Sequence, residues 1–190
     1  MGYDYEELFQ RNYGIFEREE QERIRNAKVM ILGCGGIGGA MAIVLARSGV
    51  SNFILMELDT YQPTNMNRQV TCFIDTIGVN KAASIKENIL KINPEAKVTA
   101  YERGLKPDEI EEMIGPADII VPAMDDWPLS LIVFEVARKL GKPAVMSYPV
   151  GALGRACLVL PDGPPAAECL AMPLLPYHEL KQYSESPEAR

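Results

Sequence analysis

Residues 28–48 read KVMILGCGGIGGAMAIVLARS, and the class of fold follows from this segment. Lys28–Leu32 is a short apolar run typical of a buried strand. The glycine-rich stretch 33–38 follows at once, and 39–48 is a run of small and apolar residues typical of a helix packed closely on a sheet. Gly49 then gives a helix-terminating signal. The order strand, glycine turn, helix predicts a βα unit.

The same alternation continues along the chain. Short apolar runs predict further strands, and runs with apolar residues at helical spacing predict helices between them. The predicted strands cover 52–58, 97–101, 118–121, 143–147 and 156–160, and the predicted helices cover 79–92, 107–114 and 129–140. Such alternation is typical of parallel sheets covered by crossover helices. We therefore predict an α/β fold, a Rossmann-like, doubly wound, mostly parallel sheet with helices on both faces.

Composition divides the chain into three segments. Residues 1–26 are charged, with apolar residues at helical spacing, and are predicted to form an N-terminal helical arm. Residues 27–160 carry the strand and helix alternation and are predicted to form one domain. Residues 161–190 are rich first in prolines and small residues, then in polar ones, and are predicted to be an irregular C-terminal tail.

The bulk composition excludes several classes of function. The chain has 190 residues, 47% of them hydrophobic, which suits one compact domain. Its net charge of -7 argues against binding nucleic acid or an anionic membrane, because neutralising phosphates needs clustered Lys and Arg. No apolar run reaches the roughly 18 residues of a membrane span, and the N-terminus lacks a basic signal region. The four cysteines form no Cys-x-x-Cys pair, which favours free thiols and a cytoplasmic location.

The glycine turn predicts a phosphate site. Gly33, Gly35, Gly36 and Gly38 let the backbone approach a phosphate, and the following helix directs free N–H groups and its positive dipole end at it. Glu57 lies 19 residues beyond Gly38, at the end of the second predicted strand, where an acidic side chain accepts hydrogen bonds from a ribose. Together they predict an adenosine-containing ligand, although the glycine pattern alone also fits NAD, FAD and S-adenosylmethionine.

Residues 59–69 read DTYQPTNMNRQ and narrow that choice. Lys81 follows 13 residues after Arg68. The chain thus has, in order, a GxGGxG turn, an acidic strand end, an Asn-x-x-Arg-Gln segment, a downstream Lys and an Asp after a later strand. In this pattern it resembles the ThiF, MoeB and HesA adenylyltransferases, bacterial relatives of ubiquitin-activating enzymes, over roughly residues 11–160. Residues 27–160 are then expected to be a ThiF-type nucleotide-binding domain.

The resemblance implies a role for individual residues. Glu57 is expected to bind the ribose. Asn65, Arg68 and Lys81 are expected to surround the triphosphate of ATP, and Asp125 to hold Mg²⁺. These residue types suit the chemistry, because attack of a carboxylate on the α-phosphate expels pyrophosphate and cations stabilise the charge that develops.

The resemblance also implies an activity and partners. The expected reaction is ATP-dependent adenylation of the C-terminal carboxylate of a small ubiquitin-like or sulfur-carrier protein, or of a peptide. In the family an N-terminal Arg crosses a dimer interface into the partner's nucleotide site, and Arg11 matches it, so a homodimer is expected. The family usually has Gln after that Arg, whereas this chain has Asn12.

Simpler roles also fit these residues. Asn65 suits a turn, Lys81 suits a solvated helix position, and Arg11 suits an exposed surface. Asp125 and Asp126 suit the N-terminal cap of a helix, which is compatible with a metal role.

The chain departs from the family near its end. Many members have two Cys-x-x-Cys pairs that bind zinc, and some have a catalytic Cys. Residues 166–170 read AAECL, with alanine at the leading position, and no second pair follows, so a thiolate zinc site cannot be completed. Cys169 is expected to be a spectator thiol, and His178, the only histidine, has no expected role.

Two other functions remain open. A catalytically silent scaffold subunit that pairs with an active partner is favoured by the abbreviated segment after Leu160. An NAD-dependent oxidoreductase fits the glycine turn and Glu57, but it leaves Arg68 and Lys81 unexplained.

Overall fold

The computed structural model of the protein describes residues 3–150, 152–170 and 172–186. The strands of this described part are β1 (Lys28–Leu32), β2 (Asn52–Met56), β3 (Lys97–Tyr101), β4 (Ile119–Pro122), β5 (Ala144–Val150) and β6 (Leu153–Val159). Its α-helices are α1 (Tyr5–Phe9), α2 (Arg18–Asn26), α3 (Gly36–Arg47), α4 (Lys81–Ile92), α5 (Ile110–Ile114), α6 (Trp127–Lys139), α7 (Ala166–Cys169) and α8 (Tyr177–Glu185). None of these helices combines the length and the apolar character that crossing a membrane requires.

The six strands form one sheet in the order β3-β2-β1-β4-β5-β6. Strands β1 to β5 pair in parallel, and Met30 in β1 lies beside Ile54 in β2 and Ile120 in β4. Strand β6 pairs antiparallel with β5 as a hairpin. This topology confirms the predicted Rossmann-like, doubly wound and mostly parallel sheet.

Hydrophobic clusters cover both faces of the sheet. Side chains of a strand alternate between faces, so Val29 and Ile31 lie in one cluster with α3 and α4, whereas Met30 and Leu32 lie in the other with α5 to α8. Both faces of β1 are therefore buried, which explains why its sequence is a continuous apolar run.

Most predicted elements are present, with shifted ends. Helix α3 begins at Gly36, three residues before the predicted start at 39, because the last residues of the glycine turn already form its first turn. Helix α6 begins at Trp127 because Asp126 caps it, and α4 begins at Lys81 because Asn80 caps it.

The N-terminal arm is hydrogen-bonded to the C-terminal end of α3. The Tyr5 hydroxyl donates to the Gly49 carbonyl at 2.8 Å, and the Gln21 amide donates to the Tyr5 hydroxyl at 2.8 Å and to the Ser48 carbonyl at 3.2 Å. Asn12 also donates to the Ser48 carbonyl, at 3.0 Å. Buried polar contacts of this kind fix α1 and α2 against the domain.

The C-terminal segment differs from the expectation. Residues 161–190 were predicted to be irregular, but the structure forms α7 and α8 there; residues 187–190 lie outside the described residues. Leu180 in α8 is fully buried against the cluster that includes α6. Prolines such as Pro176 predict an irregular segment, which is why the sequence does not indicate this helix. A short helix is unstable alone, and the packing of α8 against α6 supplies the missing stabilisation. The boundaries between arm, domain and tail stay a prediction.

Candidate functional site

A cleft of about 600 Å³ lies at the carboxyl-terminal ends of β1, β2 and β4. This is the edge at which doubly wound sheets bind ligands. Eight of the residues singled out in the sequence border it: Gly33, Gly35, Gly36, Glu57, Asn65, Arg68, Lys81 and Asp125. The other two, Gly38 and Arg11, do not.

The four glycines of the turn after β1 have two different reasons to be glycine. Gly33 has a positive φ of 92°, and a methyl group on it would overlap the Ala123 carbonyl; one on Gly38 would overlap the Gly33 carbonyl. A Cβ on Gly35 or Gly36 would find its nearest neighbours at 3.8 and 3.7 Å, which is ordinary contact. Gly33 and Gly38 are thus required by packing, whereas Gly35 and Gly36 keep the surface of the cleft open at the N-terminus of α3.

Glu57 directly follows β2 and is held by backbone donors. Its Oε2 accepts the N–H of Cys34 at 2.9 Å, and its Oε1 accepts the N–H of Asp59 at 3.0 Å. The first bond ties the end of β2 to the glycine turn after β1. The carboxylate is therefore fixed beside the turn and still faces the cleft.

Asn65 and Arg68 come from the loop between β2 and α4. The Asn65 Oδ1 accepts the N–H of Gln62 at 2.9 Å and closes a 3₁₀ turn, so its turn-forming role is present, while its side chain also borders the cleft. Arg68 is exposed, and its Nη1 donates to the Thr64 carbonyl at 2.9 Å and to Asn67 Oδ1 at 3.1 Å. The remaining guanidinium donors of Arg68 have no partner among the described residues and are available to a ligand.

Lys81 is the first residue of α4 and is buried, with 8% of its side chain exposed. Its Nζ lies 2.9 Å from Asp59 Oδ2. A buried cation needs such a partner, because desolvation penalises an unpaired charge. The interpretation of Lys81 as a solvated helix residue is therefore wrong.

Asp125 and Asp126 follow β4 and differ from each other. The Asp125 side chain is exposed at the cleft and has no hydrogen bond or ion pair within the described residues. Asp126 caps α6, since its Oδ1 accepts the N–H of Leu129 at 3.1 Å. Its Oδ2 accepts the Tyr177 hydroxyl at 2.9 Å and Lys181 Nζ at 3.1 Å. Partial burial acts to raise the pKa of Asp126, but these donors outweigh it and lower the pKa below its ordinary value.

Arg11 lies away from the cleft of its own chain. It is exposed in the 3₁₀ turn Gln10–Asn12, and the next residue, Asn12, is bonded to Ser48 at the C-terminal end of α3. The glycine turn lies at the other end of this helix, which has 12 residues and is therefore about 18 Å long. An arginine side chain does not span that distance.

Three polar residues of the cleft received no role from the sequence. Asp59 is the ion-pair partner of Lys81. Gln69 is 6% exposed, and its Oε1 has no hydrogen-bond partner in the described chain. Arg103 follows the end of β3 and pairs with Glu109. Asp59 and Arg103 had a usable signal, because a charged residue just after a predicted strand lies at the ligand-binding edge, whereas Gln69 had none.

The four cysteines differ in their exposure. Cys157 and Cys169 are exposed, whereas Cys34 and Cys72 are buried. Burial raises the pKa of the Cys34 thiol to about 12. Within residues 3–150, 152–170 and 172–186, no cluster of three or more His, Cys, Asp or Glu side chains could hold a metal ion by itself.

Known proteins resemble this chain in sequence and in structure. The ThiF family model matches residues 9–185. The chain is 33% identical to the sulfur carrier protein adenylyltransferase of Thermus thermophilus over 127 residues, which are 67% of this chain and 47% of that protein. It is 32% identical to the sulfur carrier protein ThiS adenylyltransferase of Bacillus subtilis over 158 residues, 81% of this chain and 47% of that protein.

A solved structure of E. coli MccB with ATP is also similar, with a TM-score of 0.68 and 31% identity over 75% of this chain and 44% of that one. The chain spans about half the length of the curated relatives it matches. The matched residues include the N-terminal arm from residue 9 onward, the cleft and all of α8. The chain belongs to the ThiF family.

Proposed function

We propose that the chain is an ATP-dependent adenylyltransferase that activates the C-terminal carboxylate of a small ubiquitin-like or sulfur-carrier protein. The observation that carries the proposal is one cleft that brings together an open glycine turn, a fixed carboxylate, two cations and a free carboxylate. These groups are Gly36, Glu57, Arg68, Lys81 and Asp125. The relatives named as sulfur-carrier adenylyltransferases support the same activity.

Different parts of the cleft match the phosphates, the ribose and the adenine ring of ATP. Gly35 and Gly36 leave space for a phosphate at the N-terminus of α3, where free N–H groups favour an anion. Glu57 would accept hydrogen bonds from the ribose. Leu58 and Leu105 also border the cleft, and their apolar side chains offer a surface for the adenine ring.

The reaction forms one bond and breaks another. An oxygen of the acceptor carboxylate attacks the α-phosphorus of ATP, the bond from that phosphorus to the bridging oxygen breaks, and pyrophosphate leaves. Arg68 and Lys81 stabilise the negative charge on the phosphates. Because a carboxylate is already a nucleophile, the step needs no general base.

Asp125 is the residue that would hold Mg²⁺. Its exposed carboxylate has no competing partner within the described chain, and Mg²⁺ sites at nucleotides commonly use one or two carboxylates together with the phosphates. The residues present therefore fit the ion. When bound, Mg²⁺ would neutralise charge on the departing pyrophosphate.

Mg-ATP titration followed by pyrophosphate exchange tests the activity. We expect the protein to bind Mg-ATP and, with a suitable carrier, to exchange labelled pyrophosphate into ATP. Arg68→Ala and Asp125→Ala are expected to lower exchange by roughly 100-fold or more, since they remove groups that stabilise the transition state. The matched controls Arg47→Ala and Asp162→Ala, both exposed and outside the cleft, are expected to behave as the wild type.

Other outcomes of that titration decide between the remaining functions. Binding of NAD⁺ without Mg-ATP would contradict the proposal in favour of an oxidoreductase. Binding of neither nucleotide would favour a scaffold subunit. Exchange with a short peptide but with no carrier protein would assign a peptide as the acceptor.

We also propose that the active form is a cytoplasmic homodimer in which Arg11 enters the partner's cleft. The position of Arg11 at the far end of α3 supports a role in a neighbouring subunit, since it cannot reach its own cleft. Mixing Arg11→Ala with Arg68→Ala tests this. Each variant alone should be inactive. The equimolar mixture should regain about a quarter of the wild-type activity, since about half of its dimers are mixed and one of the two sites in each mixed dimer is intact. Full activity of Arg11→Ala alone would contradict it.

A further inference from the structure

The last helix of the described chain reaches the turn that carries Asp125. Helix α8 packs against α6 through Leu180, which is fully buried. From the same helix, the Tyr177 hydroxyl and Lys181 Nζ both donate to Oδ2 of Asp126, at 2.9 and 3.1 Å. The bonds join residues 51 and 55 positions apart in the chain.

These bonds hold a short turn from two sides. Asp126 is adjacent to Asp125, and its Oδ1 is already bonded to the N-terminus of α6 through Leu129 N–H. With Oδ2 bonded to α8, neither carboxylate oxygen can move without breaking a hydrogen bond. The backbone of the turn, from which the free Asp125 side chain projects, is thus held by α6 and α8 together.

The contact also balances charge. Asp125 and Asp126 are two neighbouring carboxylates beside a cleft proposed to receive a triphosphate. In the described chain, Lys181 is the only cation that forms an ion pair with either of them. Its side chain and that of Asp126 are 45% and 28% exposed, so the pair is only partly screened by water. Lys181 thus offsets the carboxylate that is occupied in capping and leaves the charge of Asp125 for a ligand.

We propose that Tyr177 and Lys181 are positioning residues that hold the Asp125–Asp126 turn so that Asp125 meets the metal of Mg-ATP. This inference rests on the proposed adenylyltransferase function. It assigns α8 the role of supporting the turn that carries the metal ligand of the nucleotide site. Neither residue touches the cleft itself.

Nucleotide titrations of the full chain with and without Mg²⁺ test the proposal. The variants are Tyr177→Phe, Lys181→Met and their double variant, and the control is Lys139→Met, an exposed lysine at the end of α6. The double variant is expected to weaken Mg-ATP binding about 10-fold, the effect typical of losing groups that orient a metal ligand. Binding of ATP in excess EDTA is expected to change less than about twofold. The Lys139→Met control should match the wild type in both titrations.

Asp126→Asn separates positioning from general stability. In this background the partner has no charge, so Lys181→Met is expected to have little further effect on Mg-ATP binding. If Lys181→Met weakens binding equally in both backgrounds, the coupling to Asp126 is absent and the proposal is overturned.

The remaining outcomes distinguish the two levels of inference. If the wild type binds Mg-ATP and the double variant binds it equally well, the positioning role is wrong and the proposed function stands. Equal losses with and without Mg²⁺, together with a lowered melting temperature, would show a merely structural contact and overturn the proposal. Failure of the wild type to bind Mg-ATP would instead overturn the proposed function, and this inference with it.

Discussion

Gly36 and Gly38 lie two residues apart in the turn after β1, yet only Gly36 has space for an added methyl group. On Gly36 it would contact the aliphatic part of Arg68 at 3.7 Å, whereas on Gly38 it would overlap the Gly33 carbonyl. We expect Gly36→Ala to fold with a normal melting temperature and to bind ATP roughly tenfold or more weakly, because the methyl group occupies phosphate space. We expect Gly38→Ala to be unfolded or insoluble. Normal ATP binding by Gly36→Ala would contradict the phosphate site.

The cysteines give a second test at the residue scale. The pKa of Cys34 is raised to about 12 by burial, so its thiol stays protonated and unreactive at about pH 8. Cys72 is also buried, whereas Cys157 and Cys169 are exposed. Alkylation of the native protein followed by peptide mass mapping should modify the exposed pair and spare the buried pair, and alkylation in urea should modify all four. Modification of Cys34 in the native protein would show that the glycine turn opens in solution.

At the scale of elements, Asn80 joins the end of β2 to the start of α4, next to the cleft. Its Oδ1 accepts the N–H groups of Ala82 and Ala83 at the start of α4, and its Nδ2 donates to the carbonyl of Glu57 after β2. Asn80→Ala is expected to lower the free energy of unfolding by about 1–2 kcal/mol, the usual cost of losing a helix cap. Urea denaturation measures it as a lower midpoint at an unchanged slope.

Asn88 provides the matched control for that cap. It lies within α4, is partly exposed and donates to the Ser84 carbonyl one turn earlier. Asn88→Ala is expected to change the free energy of unfolding by less than about 0.5 kcal/mol. Equal effects of the two substitutions would mean that Asn80 does not act as a cap.

At the scale of the whole molecule, α8 is part of the hydrophobic core. Leu180 is fully buried, while Leu153 on the edge strand β6 is 75% exposed. Leu180→Ala is expected to lower the free energy of unfolding by about 2–5 kcal/mol, because it leaves a cavity in the core. Leu153→Ala is expected to change it by less than about 0.5 kcal/mol. A single cooperative unfolding transition in both variants would show that the C-terminal segment folds together with the sheet. If Leu180→Ala leaves the free energy of unfolding unchanged, the C-terminal segment folds independently of the sheet.

The sequence by itself determined the α/β class, the parallel sheet and eight of the residues that border the cleft. These depend on patterns within short stretches: the apolar run of β1, the glycine turn, and charged or amide side chains just after predicted strands. Parallel strands bring their carboxyl ends to one edge, so residues such as Glu57 and Asp125 meet there once the topology is given.

Only the tertiary structure decided which side chains of the site are buried or bonded, and which residues are their partners. The burial of Lys81 against Asp59, the open space at Gly36 and the docking of α8 on Asp126 depend on contacts between residues far apart in the chain. Local propensity carries no information about such contacts, and a short helix after several prolines is stable only when another element buries its apolar face. For that reason the C-terminal segment looks irregular in the sequence, yet it contains the helix α8, which donates hydrogen bonds to Asp126 beside the cleft.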